Sequence, residues 1–176
     1  LNLNRLIINI FLAYLISINF GCRPEKGYTF YKSVSNDGLG VNPVIFKVPK
    51  KIINSSKKNI FLRLRNNNNY PYSNIFLLAS LRSGEDKIYD DTLEYAMASP
   101  DGKWLGSGFN EIKESKLWWL GGVILSNQEP LTIEVSHAVR NNGEEKGVSK
   151  LKGIISVGIS IAVSYTHLTL PTKQMV

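Results

Sequence analysis

The chain has 176 residues, a formal net charge of +7 and a single cysteine, and 43% of its residues are hydrophobic. One cysteine rules out an internal disulfide, so stability has to come from a packed core, which a chain of this length can build as one domain. The excess of lysine is not evidence for a nucleic-acid partner. The chain is rich in Ile, Asn, Lys, Phe and Tyr, whose codons are AT-rich, so genome composition accounts for much of the charge.

The first element is a short export signal. Arg5 precedes an apolar run from Leu6 to Ile18, interrupted by Asn9 and Ser17, and the small residue Gly21 stands before Cys22. A basic start, a short apolar stretch and a small residue at its end make a secretory signal rather than a membrane span. A cysteine directly after that small residue resembles a bacterial lipobox, although Asn19 stands where a lipobox usually carries Leu, Val or Ile. Cys22 is therefore the expected lipidation site, and the lipid bilayer the expected first partner. Residues 1–21 form the signal, residues 22–27 a polar tether and residues 28–161 the folded domain.

From Tyr28 onward the apolar pattern has the period of strands. Tyr28–Ser33 alternates. Val44, Phe46 and Val48 share one face, as do Ile60, Leu62 and Leu64 opposite Phe61, Arg63 and Arg65. Ile75–Leu81 is apolar on both faces and reads as a central strand. Leu93 and Tyr95 alternate with Thr92 and Glu94. Leu117–Leu125 is aromatic and then β-branched, with a bulge or turn expected at Gly121-Gly122. Leu131, Ile133 and Val135 form another face, and Ile155, Val157, Ile159 and Ile161 the last. Turn chemistry separates these runs at Asn66–Asn69, a run that tolerates left-handed backbone, at Ser99-Pro100-Asp101-Gly102 and at Asn141-Asn142-Gly143. Phe109–Lys116 and Lys146–Leu151 are the two places where a helical turn is expected. About eight short strands at this spacing predict an all-β, antiparallel β-sandwich of jelly-roll or immunoglobulin-like type.

The tail reads differently. Val163–Thr172 matches, in one frame, the translation of a transposase adapter used in DNA-library preparation, so residues 162–176 are set aside as non-native, and His167 with them. Without Arg5 and Lys173 the formal charge falls from +7 to +5.

Catalytic chemistry finds little footing. His137 continues the face of Leu131, Ile133 and Val135 and is read as structural. No Cys/His set suits zinc, and neighbouring Asp90 and Asp91 point to opposite faces of a strand. Glu85-Asp86 matches no calcium loop, and phosphate-binding or nucleophile-elbow motifs are absent. The sequence therefore predicts no enzyme, no cofactor and no metal. Two other groups are candidates for binding. Trp104, Trp118 and Trp119 are candidate partner or glycan contacts, with Trp118 and Trp119 on opposite faces of one strand. Lys50, Lys51, Lys57 and Lys58 are candidate contacts to an anionic membrane surface.

Three segments carry a family likeness: Leu62–Leu77 with its asparagine run, Asp91–Gly108 with Pro100-Asp101-Gly102-Lys103-Trp104-Leu105-Gly106 and on through Lys116-Leu117-Trp118, and Ala138–Gly143 with Leu151–Ile154 and Val157-Gly158. In this order they resemble the GldH family of gliding-motility lipoproteins. The resemblance implies a membrane-anchored, non-catalytic component of the gliding machinery linked to type IX secretion, with other envelope proteins of that machinery as partners. Arg23-Pro24-Glu25-Lys26 lacks the acidic cluster of a surface-export signal, which implies the periplasmic side of the membrane, the outer one being favoured. The alternative reading is a tethered module that binds carbohydrate or peptidoglycan.

Overall fold

A computed structural model describes residues 27–125 and 130–164. The signal, Cys22, most of the tether and residues 165–176, including His167, lie outside the described residues. The described chain forms ten strands: β1 (Gly27–Ser33), β2 (Leu39–Gly40), β3 (Val44–Lys47), β4 (Lys58–Asn66), β5 (Asn74–Ser83), β6 (Asp86–Ala96), β7 (Lys113–Val123), β8 (Leu131–His137), β9 (Lys150–Leu151) and β10 (Ile154–Val163). One four-stranded sheet runs β1-β10-β4-β7 and the other β3-β8-β5-β6, with β2 and β9 pairing separately.

The pairing is nested. β1 pairs with β10, β2 with β9, β3 with β8, β4 with β7 and β5 with β6, all antiparallel. Each strand thus meets its counterpart counted from the opposite end, as in one long hairpin folded over on itself. Two further pairings, β10 with β4 and β8 with β5, close that ribbon into two sheets. This is the jelly-roll order, two sheets joined through Greek-key connections. An immunoglobulin-like sandwich does not place its first and last strands at the outside of such a nest.

The core lies between the sheets. Ile60, Leu62 and Leu64 of β4 face inward with Val157, Ile159 and Ile161 of β10, against Leu77, Ala79 and Leu81 of β5 and Ile133 and Val135 of β8. Each such aliphatic side chain contributes about 1.5–3 kcal/mol by leaving water. The alternation read from the sequence is what drives this, because every second residue of a strand points to the same face.

Two local expectations are corrected, in β10 and at the expected helical turns. β5 is central, as its apolar run predicted, and one of its faces meets solvent: Leu77 is fully buried, whereas Leu78 is 42% exposed. In β10 a register shift between Ile154 and Ser156 puts Ile154 in the core and takes Ile155 off that face, because one extra residue reverses the side-chain direction. The two expected helical turns do not form: Lys113–Lys116 already belongs to β7 and Lys150-Leu151 to β9, while one 3-10 turn occurs at Lys50–Ile52. The asparagine run does turn, but without left-handed residues. The Asn67 side chain accepts a bond from the Asn69 amide at 3.0 Å and closes the loop instead. The bulge at Gly121-Gly122 is present. Gly122 has φ 68° and the β4–β7 register shifts opposite it. β10 includes Ala162 and Val163, which pair with Asn59 and Lys58 of β4.

Register also sorts the connections between two ends. Gly27, Lys58, Val123, Leu131 and the β5–β6 hairpin lie at the near end, where β1 begins. Ser33, Asn66, Lys113, His137 and Ile154 lie at the far end. The segments after Asn66, Ala96 and His137 interlock there. Trp104 Nε1 donates to Asn68 Oδ1 at 3.2 Å, Tyr72 Oη to Asn141 Oδ1 at 2.7 Å and the Asn67 amide to the Gly153 carbonyl at 2.9 Å.

Candidate functional site

The three tryptophans separate. Trp119 is 6% exposed, points into the core and donates to Asp91 Oδ2 at 2.9 Å. Trp118 is 39% exposed on the opposite face of β7. Trp104 is half-buried at the far end, 6.1 Å from the Tyr70 ring. The in-and-out alternation of Trp118 and Trp119 follows from β7 being a strand, but the three do not form one surface.

The lysines also separate. Lys50, Lys51 and Lys57 are exposed at the near end, and the Lys51 amine lies 5.0 Å from the Tyr28 ring at the start of β1. Lys58 is a correction: it is 3% exposed, and its amine donates to Asn54 Oδ1 at 2.8 Å. It shares the inward face of Ile60, so its stem closes the near end of the core and its charge is held by a neighbouring loop. It is not a surface contact. His137 is buried at the end of β8, and burial holds its imidazole below the ordinary value, with a partly opposing effect from the Leu39 backbone.

The most organised polar surface is the outer face of the β1-β10-β4-β7 sheet. Register places Tyr31, Gly158, Arg63 and Lys116 in one row across the four strands, and Ser33, Ser156, Arg65 and Glu114 in the next. Gly158 is what lets the rows close over. A Cβ there would lie 2.6 Å from the Tyr31 ring, so only a bare backbone allows that ring to lie across β10. Tyr31 Oη then reaches Glu114 Oε1 at 2.6 Å. Arg63 Nη1 bonds the same oxygen at 2.7 Å, and Arg65 Nε bonds Oε2 at 2.9 Å. The Arg65 guanidinium also sits 4.0 Å from the Tyr31 ring centroid. Burial works against the Glu114 carboxylate, but the donors on Tyr31, Arg65 and Arg63 outweigh it and hold Glu114 below its ordinary value. Burial, joined by the bond to Glu114, pushes the Tyr31 hydroxyl up.

The next row is aromatic. Phe61 and Trp118 meet edge to face at 5.2 Å, and the Lys116 amine lies 4.2 Å from the Phe61 centroid. Trp118 ring atoms occupy the space where a side chain at Gly121 would stand. The Trp118 carbonyl is held by the Tyr95 hydroxyl from the facing sheet. Phe61, Arg63 and Arg65 stand opposite the core face of β4, which the alternation shows. Tyr31, Glu114 and Gly158 join them only through cross-strand register, which no local pattern discloses.

This arrangement holds charge and presents a ring. Among the described residues no group of three or more His, Cys, Asp or Glu side chains is placed to hold a metal, and no helix is long and apolar enough to cross a membrane. An open groove of about 680 Å³ at the far end, lined by Asp37, Asn67, Asn69 and Lys152 among others, carries no nucleophile–base pair either. The fold is an antiparallel sandwich of jelly-roll order with a charged and aromatic outer face.

The family model described as GldH lipoprotein matches residues 28–161, the whole sandwich. This chain belongs to the GldH lipoprotein family. It is 39% identical over 143 residues to a protein of Flavobacterium johnsoniae named gliding motility lipoprotein GldH, covering 81% of this chain and 87% of that one. It is 36% identical over 165 residues to a gliding motility lipoprotein GldH homolog of Christiangramia forsetii, covering 91% and 98%. Two solved structures share weaker likeness: the Tobacco streak virus coat protein (TM-score 0.28, 15% identity, 89% of this chain and 98% of that chain) and dimeric latent PorU of Porphyromonas gingivalis (TM-score 0.32, 9% identity, 81% and 14%). Scores this low bear on neither fold nor function.

Proposed function

We propose that this chain serves bacterial gliding as a non-catalytic envelope lipoprotein, a structural or assembly component of the motility machinery linked to type IX secretion. The observation that carries the reading is membership of the GldH lipoprotein family across the entire folded domain. Cys22 anchors the chain through its acyl groups, on the periplasmic side of the outer membrane. The near end, with exposed Lys50, Lys51 and Lys57 beside the start of β1, faces the headgroups, and the far end faces away. Other envelope proteins of the machinery are its partners.

The test is genetic and chemical together. A strain lacking the gene loses surface spreading, and the wild-type gene restores it. Mass spectrometry of the mature protein finds acyl groups on Cys22, and Cys22→Ala releases the protein from membranes. Crosslinking in native membranes recovers gliding or secretion components. Unimpaired spreading in the deletion strain, or recovery of glycan without any such component, overturns the reading.

A further inference from the structure

We propose that the outer face of the β1-β10-β4-β7 sheet binds an acidic polysaccharide, with the Trp118 indole stacking on a sugar ring and Lys116 and Arg65 pairing with the sugars' anionic groups. The inference is independent of the gliding role, because it concerns what the purified protein binds.

Charge selects the ligand's sign. Arg63, Arg65 and Lys116 share the face with one carboxylate, Glu114, which already accepts from both arginines and Tyr31. The face therefore carries net positive charge. Arg63 Nε is buried there without a hydrogen-bond partner. Cations this close together favour an anionic ligand with repeated charges.

The surroundings select its kind. Arg63, Arg65, Lys116 and Trp118 stand off the sheet face while the backbone hydrogen bonds lie in the plane of the sheet, so a ligand lying on this face is recognised by side chains. A stable protein interface has an apolar centre from which charged residues are depleted. Here the centre of the face is charged, and the exposed apolar group is a ring at its margin. One flat aromatic beside fixed cations suits a sugar polymer, whose rings have an apolar face and whose acidic groups lie around the rim.

The face is also pre-organised. Trp118 is held by Phe61 on one side and by the Tyr95 bond to its carbonyl, while Arg63 and Arg65 are fixed by Glu114. Groups already held in place lose little conformational freedom on binding.

The experiment uses the full mature lipoprotein in detergent micelles and three probes: polygalacturonate as an acidic polysaccharide, dextran as a neutral one and poly-glutamate as an acidic peptide. Polygalacturonate binds, more weakly at higher salt, and dextran does not. Trp118→Ala weakens polygalacturonate binding about tenfold or more, the scale of one lost aromatic anchor. Lys116→Ser weakens it several-fold. Lys116 is exposed, so that variant folds even if Trp118→Ala does not, and circular dichroism checks both. No binding of polygalacturonate overturns the proposal. So does equal binding of poly-glutamate with no effect of Trp118→Ala, which marks a general anion patch and not a sugar site. Either outcome leaves the gliding role standing.

Discussion

Glycine at two positions decides how side chains meet. Gly153 has φ 80° and its backbone lies against the Tyr70 amide, so a Cβ would stand 2.1 Å from that nitrogen. Gly153→Ala is expected to lose about 2 kcal/mol or more in urea unfolding, since both the left-handed backbone and the contact oppose a side chain. Gly158→Val is expected to lose about 1–3 kcal/mol by overpacking against the Phe30 carbonyl and the Tyr31 ring. It also breaks the Tyr31–Glu114 bond, which tyrosine fluorescence or ultraviolet titration detects. His137 gives a pH dependence. Its folded value lies below the ordinary 6.5, so its neutral form is favoured by folding. Its contribution is complete above pH 6.5 and is lost as pH falls through the folded value. Glu114, also depressed, begins to lose its contribution only near its ordinary 4.5. The urea midpoint is therefore expected to fall between these two pH values in the wild type and to stay flat there in His137→Gln. An equal slope in both proteins assigns the effect to another group.

At the scale of elements, the strands were legible and their environments were only partly so. The alternation of Ile60, Leu62 and Leu64 located both β4 and its buried face, because the period of a strand is written in neighbouring residues. β5 was harder. Its unbroken apolar run marked a central strand, which it is, but did not show that Leu78 lies opposite Thr92 and Ser136 on the solvent side. Burial depends on what the fold lays over a face, and local pattern does not hold that information. Leu77→Ala is expected to cost about 2–5 kcal/mol and Leu78→Ala less than about 1, measured by chemical denaturation. The bulge in β10 was invisible for a related reason: alternation continues through Ile155 in the sequence, and only pairing with β4 shows where it slips. Lys58 illustrates the same limit, since its neighbours suggested a basic surface while its place in the strand buried it. The Trp118 face was half legible. Arg63, Arg65 and Trp118 stood out from the sequence, but Tyr31 and Glu114 reach them across strands far apart in the chain.

Across the whole molecule, the nested order makes most pairings non-local. β1 must find β10 and β3 must find β8, with nearly the full domain between the outermost pair. Such topologies fold in milliseconds to seconds, because loop closure has to precede the contacts that reward it. Stopped-flow refolding is expected in that range; microsecond refolding would contradict this fold. β6, an edge strand, carries Asp86, Lys87, Asp90, Asp91 and Glu94, charges that discourage pairing with another chain. The separation of near and far ends has a further consequence once Cys22 is the anchor. Strand β7 has 11 residues, which at about 3.3 Å each make the sandwich roughly 36 Å tall. The few residues from Cys22 to β1 add at most about 20 Å when fully drawn out. With Cys22 as the anchor proposed above, the far-end loops would sweep a shallow shell of about 55 Å above the bilayer. Under that proposal, whatever the protein holds is held close to its own membrane, and a partner seated in the opposite membrane would have to extend toward it.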